Sequence, residues 1–424
     1  GRKRKERPGA EAGAGAARPA ALPRAVAAAA CVPRPGGGFG VSALGRALLV
    51  LPPAEGAPTP ASSAGSWVLL PTGGGGAGGG GPSPSDGPPP AVRALRFSRD
   101  GRRLVVAGED RCVRLWAAEA GGAPAEPPRL LGAARLPKRA SAACFAGDTV
   151  LAADKFGDLH ALESSEAPGP GGDWAPRLVG GVYATIVTDL ASSPSGALAA
   201  GVDRGGRVRV FQVGAPWEIQ CYCFGHVGFA LCVAFVGDSM VASGGADGTV
   251  RLWDAREGRQ LGCYNVRGAA DGEIGGDGGA AAVVSLASDP SSEGGRRLAA
   301  VLEGSRRVTL LEAAPSGLAS AGGEAPSWPR WARVLSAAFD GTGQLWACGA
   351  LLDGRVAVET VGATPGGPDE LDAPLARGLA ALNAALRADG GAEVLAEGPQ
   401  VAPELRLGLG ADAGADADAD AEAA

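Results

Sequence analysis

Short runs in which apolar and polar residues alternate, each closed by a Gly, Asp or Ser turn, recur along most of the chain. Residues 91–116 read AVRALRFSRDGRRLVVAGEDRCVRLW, and residues 229–254 read FALCVAFVGDSMVASGGADGTVRLWD. Alternation with a period of two, bounded by turn residues, predicts strands. In both stretches two such runs lead to a turn holding Asp110 or Asp247, then to a third run ending in Val-Arg-Leu-Trp. Weaker copies of this order occupy Ala140–Leu162, Val187–Val213, Val283–Leu311 and Val334–Val358, and a degenerate one occupies Gly40–Leu70, giving seven units. Strands this short cannot bury both faces of their own sheet, and radial stacking of the sheets does it for them. The expected fold is all-β: a seven-bladed β-propeller over residues 25–362, with the segment Ala25–Val32 closing the last blade.

Past the last unit the period changes. Leu371, Leu375, Leu379, Leu382 and Leu386 fall at helical spacing and predict one short amphipathic helix within residues 363–400, packed on the propeller's side. Residues 73–90 are so rich in Gly, Pro and Ser that they read as a disordered insert, as do the shorter stretches Glu166–Gly172 and Gly268–Gly279. The basic residues 1–24 and the acidic residues 401–424 read as disordered tails. With 71 Gly and 33 Pro among 424 residues, a mostly helical chain is excluded. No long unbroken apolar run is present, so no membrane span is expected. The chain opens at Gly1 and Met240 is its only Met, so its own start reads as missing.

Charge and candidate chemistry narrow the function. The net charge of −6 makes the chain a poor general polyanion binder, so any nucleic-acid role needs a local basic patch or a partner's surface. The opening run Arg2-Lys3-Arg4-Lys5 reads either as a nuclear-import signal, which places the protein in the nucleus, or as a solvated terminus. The cysteines form no C-x-x-C pair; Cys221 and Cys223 share one face of a strand, and free thiols in a reducing compartment account for all of them. No Gly-rich stretch supplies the Lys of a phosphate loop, and Leu407-Gly-Leu-Gly410 has no βαβ unit after it, so no cofactor is expected. With only His226 and His160, metal sites and catalytic triads lack material, and the chain reads as non-enzymatic; His160 is expected on the surface.

The Gly225-His226 dipeptide and the Trp253-Asp254 dipeptide that follows resemble the GH…WD frame of the WD-repeat family. That resemblance implies a structural tetrad of His226, Ser243, Asp247 and Trp253. A sharper likeness lies in the third and fourth units. Ala153-Asp154-Lys155-Phe156-Gly157-Asp158, then Asp203-Arg204-Gly205-Gly206-Arg207-Val208-Arg209-Val210, then Phe224-Gly225-His226 resemble, in that order, the WD-repeat non-catalytic subunits of tRNA guanine-N7 methyltransferase. The likeness spans residues 138–266; Val202 replaces the family's usual Ala, and Gly205-Gly206 replace acidic or polar residues.

The family implies a division of labour. A Rossmann-fold catalytic subunit holds S-adenosylmethionine and forms 7-methylguanosine in the tRNA variable loop. The propeller docks on it as a heterodimer and touches tRNA peripherally or not at all. By the same resemblance Arg209 would pair with a carboxylate on a helix of that subunit, with Arg204, Lys155 and Asp203 on adjoining turns. A plainer reading makes Arg209 an ordinary third-strand arginine, as at Arg114 and Arg251, and Asp203 a turn holder. The rival function is a WD-repeat scaffold for another complex, such as a ubiquitin-ligase adaptor or a ribosome-assembly factor.

Overall fold

The structure is a computed structural model that describes residues 29–33, 39–43, 46–51, 66–70, 91–118, 129–164, 167, 174–181, 185–269, 281–291, 296–322, 326–360 and 373–388. The inserts and tails predicted at residues 1–24, 73–90 and 401–424 lie outside the described residues, as do most of the two shorter inserts.

Seven antiparallel sheets follow one another along the chain. Blade 1 holds β1 (Ala29–Pro33), β2 (Phe39–Ala43), β3 (Arg46–Leu51) and β4 (Ser66–Leu70). Blade 2 holds β5 (Val92–Phe97), β6 (Arg103–Gly108), β7 (Cys112–Ala117) and β8 (Leu130–Arg135). Blade 3 holds β9 (Ala140–Ala146), β10 (Thr149–Asp154), β11 (Asp158–Glu163) and β12 (Arg177–Gly181). Blade 4 holds β13 (Val187–Ser192), β14 (Leu198–Asp203), β15 (Val208–Gln212) and β16 (Ile219–Cys223). Blade 5 holds β17 (Ala230–Val236), β18 (Met240–Gly245), β19 (Thr249–Asp254) and β20 (Gln260–Asn265), followed by the one-turn helix α1 (Val266–Ala269). Blade 6 holds β21 (Val283–Ser288), β22 (Arg297–Leu302), β23 (Val308–Ala314) and β24 (Gly317–Ser320). Blade 7 has β25 (Trp331–Phe339), β26 (Leu345–Leu351) and β27 (Val356–Thr360), and the helix α2 (Ala373–Ala388) follows.

The first strand of each sheet packs on the first strand of the next, and β1 meets β25 to close the ring. Apolar residues therefore sit between blades. One such layer joins Val202, Val208 and Val210 of blade 4 to Val233, Phe235, Val241 and Trp253 of blade 5. In blades 2 to 7 the register between first and second strands slips by one residue near the same end, and in blade 7 a second time, bulges that bend the first strand.

Ring closure departs from the sequence expectation. Residues 29–33 do not join the last blade; β1 pairs with β2 from Ala29↔Ala43 to Pro33↔Phe39, and the last sheet keeps three strands. The unit beginning at Gly40 has no first strand of its own, so the segment upstream supplies it, and among the described residues no fourth strand pairs with blade 7. Helix α2 takes the place of the missing strand. Leu379, Leu382 and Leu386 are buried in one cluster with Val41 and Leu48 of blade 1 and Cys348, Val356 and Val358 of blade 7. Asn383 does to β27 what a neighbouring strand would: Val356 N donates to Asn383 Oδ1 at 2.8 Å, and Asn383 Nδ2 donates to Val356 O at 3.1 Å. The side-chain amide thus satisfies both backbone groups of one residue on the edge strand.

Two substitutions test this closure. Leu382→Ala is expected to cost about 2–5 kcal/mol, the range for a large-to-small change at a fully buried position. Asn383→Leu keeps the helix but strips Val356 of both partners, and is expected to cost about 1–3 kcal/mol. Chemical denaturation of the full chain measures both, and wild-type stability in the two variants would show that α2 is not the clasp.

Candidate interaction face

The turns between second and third strands all lie at one end of the blades. A recurring backbone bond fixes them there: the residue after the second strand donates to the residue before the first. The pairs are Glu109 N to Ala91 O, Lys155 N to Arg139 O, Arg204 N to Ile186 O, Ala246 N to Phe229 O and Glu303 N to Ala282 O, at 2.8 to 3.0 Å. Lys155 and Arg204 therefore occupy the same position in neighbouring blades, where blade 5 has Ala246 and blades 2 and 6 have Glu109 and Glu303.

Blade 5 holds its turn with a side-chain chain of bonds. His226 Nδ1 is 3.1 Å from Asp247 Oδ1 and His226 Nε2 is 2.8 Å from Ser243 Oγ. Trp253 Nε1 donates to the same Ser243 Oγ at 2.8 Å. Since the indole can only donate and the carboxylate only accept, the proton sits on Nδ1 and the serine hydroxyl donates to Nε2. Val227 N and Thr249 N also donate to Asp247. Burial by itself raises the Asp247 pKa, but the His226 ring and these N–H groups outweigh it and hold the carboxyl well below the usual carboxylate range. Blade 2 has the same Asp–Trp spacing without the chain. Val106 stands where Ser243 does, Arg114 Nη1 takes Asp110 Oδ2 at 2.6 Å, and the buried Trp116 indole N–H finds no acceptor among the described residues.

Blades 3 and 4 solve the turn differently. The aspartate moves back to the last residue of the second strand and closes the turn with backbone donors. Asp154 Oδ1 accepts from Phe156 N at 2.9 Å and Asp158 N at 3.2 Å; Asp203 Oδ1 accepts from Gly205 N at 2.8 Å and Arg207 N at 3.1 Å. Both carboxylates are buried. The other oxygen of Asp203 takes Arg207 Nε at 3.0 Å, so the turn engages both oxygens. At Gly206 φ is +76° and a side chain would collide with the Gly228 carbonyl, which gives the glycine at 206 a steric reason. His160 is a correction. It is buried at 3% exposure with Nε2 3.4 Å from Asp154 Oδ2, because β12 covers β11 and the strand-end aspartate provides a partner.

Among the other sequence candidates, Lys155 and Arg204 are half-buried on their turns, Arg204 with its guanidinium carbon 5.4 Å from the Phe229 ring centroid. Arg209 is 5% exposed, its guanidinium carbon 5.9 Å from the Tyr222 centroid. It holds the strand position of Arg251 in blade 5, since Arg209 pairs with Gly201 as Arg251 pairs with Ser243. Arg251 reaches Gln260 Oε1 at 2.7 Å instead. Sequence reading overlooked the apolar side chains around these cations. Phe156, Leu178, Tyr222, Phe224 and Val227 are exposed on blades 3 and 4 and the link to blade 5, and Tyr222 and Phe224 stack at 5.8 Å. Exposed large apolar groups in such a concentration mark interaction surfaces.

Cys112, Cys144, Cys221, Cys223, Cys232, Cys263 and Cys348 are free; Cys144, Cys223, Cys232 and Cys348 are buried and Cys263 is exposed. Burial pushes the Cys144 and Cys348 thiols up to about 12, far from thiolate reactivity. No helix among the described residues is long and apolar enough to cross a membrane.

The tetrad yields two measurable outcomes. Asp247→Ala and Trp253→Ala are each expected to destabilise by about 1–3 kcal/mol, and the double variant by less than their sum, because both break one network. Since the folded pKa of Asp247 lies below its unfolded value, its contribution is fully present above pH about 4 and declines as pH falls further. Urea unfolding between pH 3 and 7 should show a shallower acid loss in Asp247→Asn than in wild type.

Residues 78–176 match the model of the tRNA methyltransferase TRM82 WD40 domain, and residues 218–254 match the WD domain, G-beta repeat. The first match takes in blade 2, upstream of the stretch in which the sequence motifs show a likeness. The mouse tRNA (guanine-N(7)-)-methyltransferase non-catalytic subunit WDR4 is 31% identical over 182 residues, 42% of this chain and 41% of that protein. The subunit named wuho from Drosophila erecta is 31% identical over 175 residues, 40% of this chain and 39% of that protein. The alignments thus span about two fifths of these relatives' length. Among solved structures, the mitotic checkpoint complex covers 76% of this chain and 86% of its own matched chain at TM-score 0.56 and 15% identity. U3-55K covers 76% and 88% at TM-score 0.54 and 18% identity, a likeness of fold alone. The chain is a seven-bladed WD-repeat β-propeller, similar over its second and third blades to the tRNA methyltransferase TRM82 WD40 domain.

Proposed function

We propose that this chain is the non-catalytic WD-repeat subunit of a tRNA guanine-N7 methyltransferase. It binds a Rossmann-fold catalytic subunit as a heterodimer, holds it in its active form and thereby supports 7-methylguanosine formation in the tRNA variable loop, in the nucleus. The observation that carries this reading is the face on blades 3 and 4. Exposed Phe156 lies beside Lys155, and exposed Tyr222 lies against Arg209 and stacks with exposed Phe224, on a chain whose relatives are named as such subunits. Apolar area with a few cations suits a carboxylate-bearing protein surface. Asp203 serves indirectly, holding the turn that presents Arg204. Arg209 lies under Tyr222, so a partner carboxylate reaches it once the exposed Tyr222 ring swings aside.

Arg209→Leu keeps an apolar stem at a buried position and is expected to leave the propeller folded. Binding of the catalytic subunit should weaken by about 2–5 kcal/mol, because the partner's carboxylate is left buried without its cation. The loss should appear chiefly as faster dissociation. Arg251→Leu, at the matching position of blade 5, should leave affinity unchanged. Thermal melts together with titration of the complex decide the matter; equal affinity in the two variants rules out the Arg209 contact. Purification from the source cell should recover a tRNA methyltransferase at one-to-one stoichiometry. Recovery of ubiquitin-ligase or ribosome-assembly partners in its place would favour the scaffold reading.

A further inference from the structure

Two thiols share one face of β16, the outer strand of blade 4. Cys221 is half-buried, and Cys223 is buried in the apolar layer between blades 4 and 5. Register places them opposite Val210 and Val208, with Tyr222 opposite Arg209 on the other face. The sulfurs form a short run of bonds. Cys223 donates to the Cys221 sulfur, and Cys221 Sγ donates to Ala255 O of blade 5 at 3.4 Å. The Cys112, Cys144, Cys232 and Cys348 thiols are all pushed up, chiefly by burial. Cys221 is moved down, because Cys223 donates to its sulfur, and that gain exceeds burial and the charge of Asp254. Cys223 is pushed up by the same bond, then by burial and by the charges of Cys221 and Asp254. The pair thus divides into a reachable nucleophile and a buried thiol touching it.

The strand around them is only partly braced. β16 has one strand neighbour, β15, and the pairing slips at Gln220, since Val210 pairs with Cys221 and Phe211 with Ile219. Residues two apart on an extended strand have Cα atoms about 6.4–6.8 Å apart, the upper end of the ~4.4–6.8 Å that a disulfide spans. Joining the two sulfurs therefore shortens the strand at Tyr222. That ring is 40% exposed, with its centroid 5.9 Å from the Arg209 guanidinium carbon and 5.8 Å from the Phe224 ring.

We propose that Cys221 and Cys223 are a dithiol site for low-molecular-weight disulfides such as oxidised glutathione, and that closing the pair draws Tyr222 away from Arg209. The Cys221 thiolate, its proton lost to water, attacks one glutathione sulfur. A protein–glutathione S–S bond forms and the first glutathione thiolate leaves. Capping Cys221 removes the acceptor and the charge that kept the Cys223 proton in place. Cys223 then gives its proton to water and attacks the Cys221 sulfur, expelling the second glutathione thiolate. Each departing thiolate takes up a proton. Two protein thiols lose two electrons in all, and one small disulfide is reduced to two thiols. In a reducing compartment the pair stays open, and a shift of the thiol pool toward disulfide closes it. The disulfide goes beyond the proposed function; only its effect on a protein partner rests on that reading, since Tyr222 and Arg209 lie on the proposed face.

The test equilibrates the full chain with glutathione buffers of rising oxidised fraction and maps disulfides by mass spectrometry of unreduced peptides. Wild type is expected to yield a peptide in which Cys221 and Cys223 are joined. Cys223→Ser should stop at glutathione bound to Cys221, and Cys221→Ser should leave Cys223 reduced. Phenylarsine oxide on the wild-type chain keeps the test valid if either serine variant fails to fold, because one arsenic bridges two close thiols. It should occupy Cys221 and Cys223 together and block their oxidation. Both thiols still reduced in buffers that modify the exposed Cys263, or Cys221 capped in wild type without closure, overturns the proposal. The closed chain should bind the catalytic subunit at least about tenfold more weakly than the reduced chain, as for loss of an interface anchor. Dithiothreitol should restore the affinity, and Cys221→Ser should be indifferent to oxidant. Equal affinity of closed and reduced chains overturns the link to Tyr222. If reduced wild type binds no catalytic subunit, the proposed function fails. Peptide mapping, with amide hydrogen exchange that should rise across residues 219–224 on closure, still decides this inference.

Discussion

The structure depends on the seam between the last and first blades. A ring of sheets has no interior that survives opening, because each buried layer is shared by two blades and every layer needs both neighbours in place. Elsewhere the chain passes directly from one blade to the next. At the seam side chains do this work: leucines of α2 pack across it, and one asparagine satisfies both backbone groups of Val356. The relative positions of all the turns, and hence the interaction face, follow from that closure.

On this frame the aspartates decide what the face presents. In blade 5 the carboxylate is tied to His226, Ser243 and Trp253, and the turn beside it is short and bears Ala246 and Gly248. In blades 3 and 4 the aspartate ends the strand and gathers backbone N–H groups of the turn, and the next residue is a long cation. Lys155 and Arg204 are presented in this way, at one position of two adjacent blades. The same device leaves Phe156 at the crest of its turn, where it meets Lys138 from the preceding link. A stiff, hydrogen-bonded base under a long cationic side chain is a sound arrangement for binding, because little backbone order remains to be imposed on association.

The propeller, its blade count, the helix and the tetrad partners were legible in the sequence because they rest on local signals. Alternation with a period of two, turn residues at regular intervals, leucines at helical spacing and the order of His226, Ser243, Asp247 and Trp253 are all set by near neighbours. What the tertiary structure alone decided are matters of long-range pairing. Whether residues 29–33 join the first or the last sheet depends on which edge is open when the ring closes, and no property of Ala-Ala-Cys-Val-Pro encodes that choice. His160 reads as surface from its neighbours, yet the outer strand β12 covers it. Arg209 and Arg251 look alike in sequence and differ in space, one beneath Tyr222 and the other held by Gln260, because their fourth strands carry different side chains opposite them. Sequence determined the strands, their turns and the residue types on them; only folding decided which side chains share a surface, since contact between blades joins residues far apart along the chain.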